Sequence, residues 1–133
     1  MAIMPWIDSY ALGVTWIDDQ HKRLVDLINA LHQLMLEGAR PDCVEAILED
    51  LLAYTDSHFA EEERAMEQAG FAGFTLHRFK HQSMRAEVEK LKRLHDQPSL
   101  PIRLMEFLKS WLARHICETD REYVPALRAA NLG

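Results

Sequence analysis

The chain has 133 residues, of which 48% are hydrophobic and 27% charged, and its net charge is −6. That length suits one domain with one core. The acidic balance excludes partners that select clustered Lys/Arg, such as nucleic acid or an anionic membrane surface.

The first stretch, MAIMPWIDSYALGVTW, has no basic start, and Asp8 interrupts its apolar run, so it does not read as a signal peptide. No run reaches the ~18 apolar residues that a transmembrane helix needs. Cys43 and Cys117 lie far apart and form no CxxC. Reduced thiols and a cytoplasmic location are therefore expected, rather than a disulfide framework. Residues 1–17 read as an arm, packed onto the rest through Trp6 and Trp16.

Four helical patterns follow. The first is expected over 19–37, with Asp18 or Asp19 as N-cap, Gly38 as stop and a stripe of Leu24, Val25, Ile28, Leu31 and Met35. The second is expected over 41–69, between Pro41 in the first turn and Gly70 past the end. The third, 75–95, carries Met84, Val88 and Leu91 and ends at DQPSLP. The fourth, 101–118, carries Leu104, Leu108, Trp111 and Leu112, and Pro125 bars a regular continuation. No segment alternates as a strand does. The expected fold is all-α: an antiparallel up-down-up-down four-helix bundle with an N-terminal arm.

The histidines decide more than the composition. His77 and His81, in HRFKH, are i and i+4 on one helix face, where both imidazoles can reach one metal. They continue the apolar stripe of their helix, as His21 and His115 continue theirs, and His58 lies one heptad after Leu51. Each helix thus turns at least one histidine inward, at positions compatible with one level of an antiparallel bundle. Burying such groups without a shared partner is costly. His32 lies ~16 Å along the helix from His21, and His95 sits at a helix end. Both read as structural or surface residues.

Carboxylates are needed to balance a metal centre of this kind. With His58 at zero and about 100° per residue, Glu62 lies at about +40°, Glu61 at about −60° and Glu63 at about +140°. Glu62 faces the core, Glu61 is marginal, and Glu63 faces away. Glu61 and Glu63 read as solvated neighbours whose loss costs little. In HICETD, Glu118 and Thr119 have helical spacing from His115. Asp120, at i+5, shares the face only if the chain tightens, bulges or leaves the helix.

The ordered set of His21, HFAEE as HxxxE, HRFKH as HxxxH and HICETD as HxxxxD resembles the hemerythrins, the single-domain bacterial ones in particular. GVTWIDDQHKRLVDLINALH is similar to the stretch that carries that family's first iron histidine, and the resemblance spans essentially the whole chain. It implies a non-haem di-iron site with two iron ions per chain. In that site His77, His81 and His115 bind one iron, and His21 and His58 bind the other. Glu62, Asp120 and an oxo or hydroxo group bridge them. The family pattern selects Asp120 where helical spacing favours Glu118 or Thr119. The family's O2-pocket positions fall on Leu24, Phe59, Trp111, Leu112 and Ile116, all apolar or aromatic.

If each iron takes six ligands, the three-histidine iron is full and the two-histidine iron keeps one vacancy, open to a small ligand such as O2. No added acid or base in the pocket is placed to drive O–O cleavage. The expected function is therefore reversible O2 binding for carriage, storage or delivery, not an enzyme activity. The chain is expected to be a monomer that supplies an oxygen-consuming enzyme. The alternative is an O2/redox or NO sensing module acting through a separate partner. A ferritin-like oxidase would need Glu-x-x-His pairs, and no glutamate here has a histidine three residues later.

Overall fold

The computed structural model describes residues 3–93 and 100–133. A short 3-10 turn (Asp8–Tyr10) precedes α1 (Thr15–Leu36), α2 (Pro41–Ala69), α3 (Phe74–Lys92) and α4 (Leu100–Arg114). A π-helical turn (His115–Thr119), a 3-10 turn (Asp120–Tyr123) and α5 (Val124–Ala129) complete the chain. No strand occurs among the described residues. The four long helices form an all-α bundle in which α1 packs on α2, α2 on α3, α3 on α4 and α4 back on α1.

α1 begins at Thr15, ahead of the expected start near Asp19, and Asp18 is not its cap. Val14 precedes the helix with no side-chain cap bond. Asp18 instead reaches back, accepting the backbone N–H groups of Leu12 (2.8 Å) and Gly13 (3.1 Å). The arm is strapped down further along α1, where the Met4 N–H donates to Asn29 Oδ1 (2.9 Å) and Asn29 Nδ2 donates to the Met4 carbonyl (3.0 Å). Trp6 and Trp16 both pack on the core, and Trp16 Nε1 donates to the Leu132 carbonyl at 2.8 Å. The N-terminal arm and the chain's last residues therefore meet at the start of α1.

Apolar stripes at helical spacing form the core: Ile17, Leu24, Ile28 and Leu31 from α1, Leu48, Leu51 and Leu52 from α2, Met84 and Val88 from α3, and Leu104 and Leu108 from α4. Each such side chain contributes about 1.5–3 kcal/mol when fully buried. The third expected helix ends at Lys92 in the structure, and its expected last residues, with His95, lie outside the described residues. The fourth expected helix is regular only to Arg114. Beyond it, Pro125 opens α5 rather than ending the helical chain, because proline is tolerated in a first turn.

The α2–α3 turn matters most for the site, since it sets Glu62 against His77. Gly70 adopts φ 65°, and the Phe71 N–H closes back on the Met66 carbonyl at 3.0 Å. A Cβ added at Gly70 meets nothing within 4 Å, so only backbone strain opposes a side chain there. Gly70→Ala should lower stability by about 1 kcal/mol and the melting temperature by roughly 3–5 °C. An unchanged thermal midpoint would show that the turn does not need the left-handed conformation.

Candidate metal centre

All four long helical segments contribute to one buried cluster. α1 brings His21, α2 brings His58 and Glu62, α3 brings His77 and His81, and the chain after α4 brings His115 and Asp120. None of these side chains is more than 4% exposed, so every one has lost its water. Asp120 reaches the cluster because residues 115–119 form a π turn. In a π turn residue i+5, not i+4, returns to the face of residue i. The extra residue sends Glu118 to solvent and brings Asp120 Oδ1 within 2.9 Å of His115 Nε2.

The donors fall into two lobes, each with its atoms within 4.8 Å of one another. One lobe holds Glu62, His77, His81, His115 and Asp120, and the other His21, His58, Glu62 and Asp120. The carboxylates are shared, and each divides its oxygens. Glu62 Oε1 faces His77 (3.4 Å) and His81 (3.6 Å), while Oε2 faces His21 (3.5 Å) and His58. Asp120 Oδ1 faces His77 (3.0 Å) and His115, while Oδ2 faces His21 (3.1 Å).

This donor set fits a metal better than it fits itself. His115 Nε2 lies 3.1 Å from the Nε2 atoms of both His77 and His81. One proton can sit between two such nitrogens, but three converging imidazoles leave lone pairs facing one another. Both nitrogens of His21 and all four oxygens of Glu62 and Asp120 are buried without a hydrogen-bond partner. Orphaned polar atoms in this number are costly unless a cation gathers them.

The electrostatics agree. Burial would lower His21 and His77, yet the facing carboxylates of Asp120 and Glu62 outweigh it and raise each to about 9. Burial, reinforced by His115 and His77 and only partly opposed by Glu62, drives His81 down to about 3. Burial opposes ionisation of Glu62 and Asp120, but the surrounding imidazoles hold both well below the usual carboxylate range.

Aromatic rings brace the three-histidine lobe. Phe59 stacks on His81 with centroids 3.7 Å apart, Trp111 on His115 at 4.1 Å, and Tyr123 on His77 at 5.5 Å. Of the five pocket positions, Leu24, Trp111 and Leu112 line a small cavity (≈ 10 Å³) together with Ile28, Leu51, Thr55, Met84 and Leu108. Phe59 and Ile116 are buried but stand outside that lining. The Thr55 hydroxyl is turned away, donating to the Leu51 carbonyl at 2.7 Å.

Two expectations need correction. Glu63 is not a free solvated neighbour: its Oε2 lies 3.0 Å from His81 Nδ1, and Arg78 stands 3.7 Å from its Oε1. Burial raises its carboxyl above the ordinary range, against the pull of Arg78. Nor is Glu61 idle, since it accepts from Gln20 Nε2, and Gln20 Oε1 lies 2.6 Å from His58 Nδ1. The angular reading placed these glutamates relative to their own helix, whereas their partners come from α1 and α3. Gln20 and Tyr123 were missed altogether. Gln20 gave a signal in standing next to His21. Tyr123 gave none, since its place depends on the turns after α4. His32 is half-buried and outside both lobes. Cys117 is a free, half-buried thiol with Sγ 3.8 Å from the Ser9 carbonyl.

Fold and site together define a helical-bundle protein built around a buried two-lobed cluster of histidines and shared carboxylates, able to hold a di-iron centre. The sequence matches the Hemerythrin HHE cation binding domain over residues 12–127. It is 36% identical over 129 residues to a bacteriohemerythrin of Pseudomonas paraeruginosa, covering 96% of this chain and 84% of that one. It is 32% identical over 132 residues to a bacteriohemerythrin of Methylococcus capsulatus, covering 97% of this chain and 100% of that one. Its fold superposes on a crystal structure of a hemerythrin variant with a TM-score of 0.81 at 28% identity, covering 96% of this chain and 98% of that one. The chain belongs to the hemerythrin family.

Proposed function

We propose that the chain binds O2 reversibly at a di-iron centre and serves to carry, store or deliver it. His77, His81 and His115 would hold one iron, His21 and His58 the other, with Glu62 and Asp120 shared between them. A ferrous pair held there would supply the two electrons and the open coordination position that O2 binding requires. The observation that carries the reading is the inequality of the lobes: three histidines in one and two in the other, around the same two carboxylates. A vacancy is then expected on the side of His21 and His58.

The chain's own contribution is seclusion. Leu24, Trp111 and Leu112 wall the small cavity, Phe59 stacks on His81, and Ile116 is fully buried. No acidic or basic side chain lines that cavity, which favours binding over turnover. The same reading has the chain act as a cytoplasmic monomer supplying an oxygen-consuming enzyme. No helix among the described residues is long and apolar enough to cross a membrane.

The test is to count iron per chain, reduce the protein without air, then admit and withdraw O2 while recording absorption. Two irons and a charge-transfer band that appears with O2 and disappears on its removal are expected. Irreversible oxidation in a single exposure would contradict carriage and favour sensing.

A further inference from the structure

Two of the five inward histidines are held at their outer nitrogen by side chains that point away from the cluster. Glu63 Oε2 lies 3.0 Å from His81 Nδ1. An ionised carboxylate only accepts hydrogen bonds, so the contact places the His81 proton on Nδ1 and leaves the Nε2 lone pair facing the cluster.

His58 is held through an intermediary. Gln20 Nε2 donates to Glu61, which again can only accept. The amide so oriented turns Oε1 toward His58 Nδ1, 2.6 Å away. An amide oxygen also only accepts, so His58 too carries a proton on Nδ1, and Nε2, beside Glu62, is the nitrogen left for a metal. Reversing the amide would reverse the tautomer and aim a proton at the place of a metal.

We propose that Glu61 and Gln20 on one side, and Glu63 on the other, are positioning residues that set the tautomers of His58 and His81. Glu61, exposed and in contact with neither lobe, thereby governs the imidazole one turn away through a residue on α1. The inference rests on reading His58 and His81 as metal-binding groups. The two holds are also chemically unequal. A carboxylate polarises His81 in the three-histidine lobe, and a neutral amide polarises His58 in the two-histidine lobe, so more electron density reaches the metal from His81.

The experiment reverses the relay from its exposed end. In Glu61→Lys an ammonium, which only donates, replaces the acceptor. Gln20 must then turn its oxygen outward and its NH2 toward His58. In the double variant Glu61→Lys, Gln20→Glu, the new carboxylate accepts from both the lysine and His58 Nδ1, so the original tautomer returns. Tautomers are read on the metal-free, 15N-histidine-labelled chain from long-range 1H–15N couplings. Metal binding is read as zinc retained per chain on dialysis against a chelator.

Glu61→Lys should strip the proton from His58 Nδ1, leave His81 unchanged, and weaken zinc retention by roughly 10-fold or more. The double variant should restore both readouts, with all three proteins equally helical by circular dichroism. A wild-type tautomer in Glu61→Lys, or a double variant that restores neither readout, overturns the proposal. Wild-type chain that retains no zinc or iron overturns the reading of the cluster as a metal site, while the couplings still decide the relay.

Discussion

Glu62→Gln should leave the chain with fewer than one iron in place of two. Glu62, like Asp120, turns its oxygens to both lobes, and it faces four of the five histidines, His21, His58, His77 and His81. An amide is nearly the same size, so the packing of α2 survives. It carries no negative charge, however, and it turns an NH2 donor toward one lobe or the other. Loss of outer-shell partners alone typically costs 10–100-fold in metal affinity, so loss of a shared inner carboxylate should exceed about 100-fold. Iron quantified after dialysis, with circular dichroism to confirm folding, checks this. Two irons retained by Glu62→Gln would remove it from the bridging role.

His58→Ala should act on one lobe only. The three-histidine lobe does not include His58, so one iron per chain should remain. The other lobe would keep only His21 beside the shared carboxylates. The substitution also removes a ring that packs edge-on against His21 at 4.8 Å, leaving space that water can enter. Iron should fall from two to one, and the O2-dependent absorption band should vanish even though metal is still bound. Unaltered iron content and O2 affinity would take His58 out of the site. The contrast between the two variants is the useful part: Glu62 couples the lobes, and His58 belongs to one.

How much of this was legible in the sequence varies by element, for physical reasons. Pro41 and Gly70 mark the ends of α2 because each is special where it stands, one lacking an N–H in a first turn and the other free to adopt φ 65°. The start of α1 carries no such mark. Val14 is the N-cap, and the acidic residue that resembles a cap, Asp18, lies inside the helix and reaches backward. The inward histidines could be read because 3.6-residue periodicity ties each to an apolar stripe. Asp120 could not be read that way. A single extra residue in a π turn moves it onto the face of His115, and regular helical spacing points to Glu118 or Thr119 instead. Only the resemblance of the whole ordered set selected it.

The charge run at 61–63 shows the limit of reading one helix at a time. Its angular positions separate Glu62, which is buried, from Glu61 and Glu63, which are not. They say nothing about what neighbouring helices bring to the outer two. Gln20 meets Glu61, and His81 and Arg78 meet Glu63, so residues that look solvated along α2 face imidazoles or their supports across the bundle.

The buried cluster is expected to hold two irons that share Glu62 and Asp120. Anomalous diffraction from iron-loaded crystals, recorded on both sides of the iron absorption edge, tests it most directly. Two iron peaks within about 4 Å of each other are expected, both within bonding distance of Glu62 and Asp120, one beside His77, His81 and His115 and the other beside His21 and His58. A single peak, or two peaks that do not share the carboxylates, would contradict it.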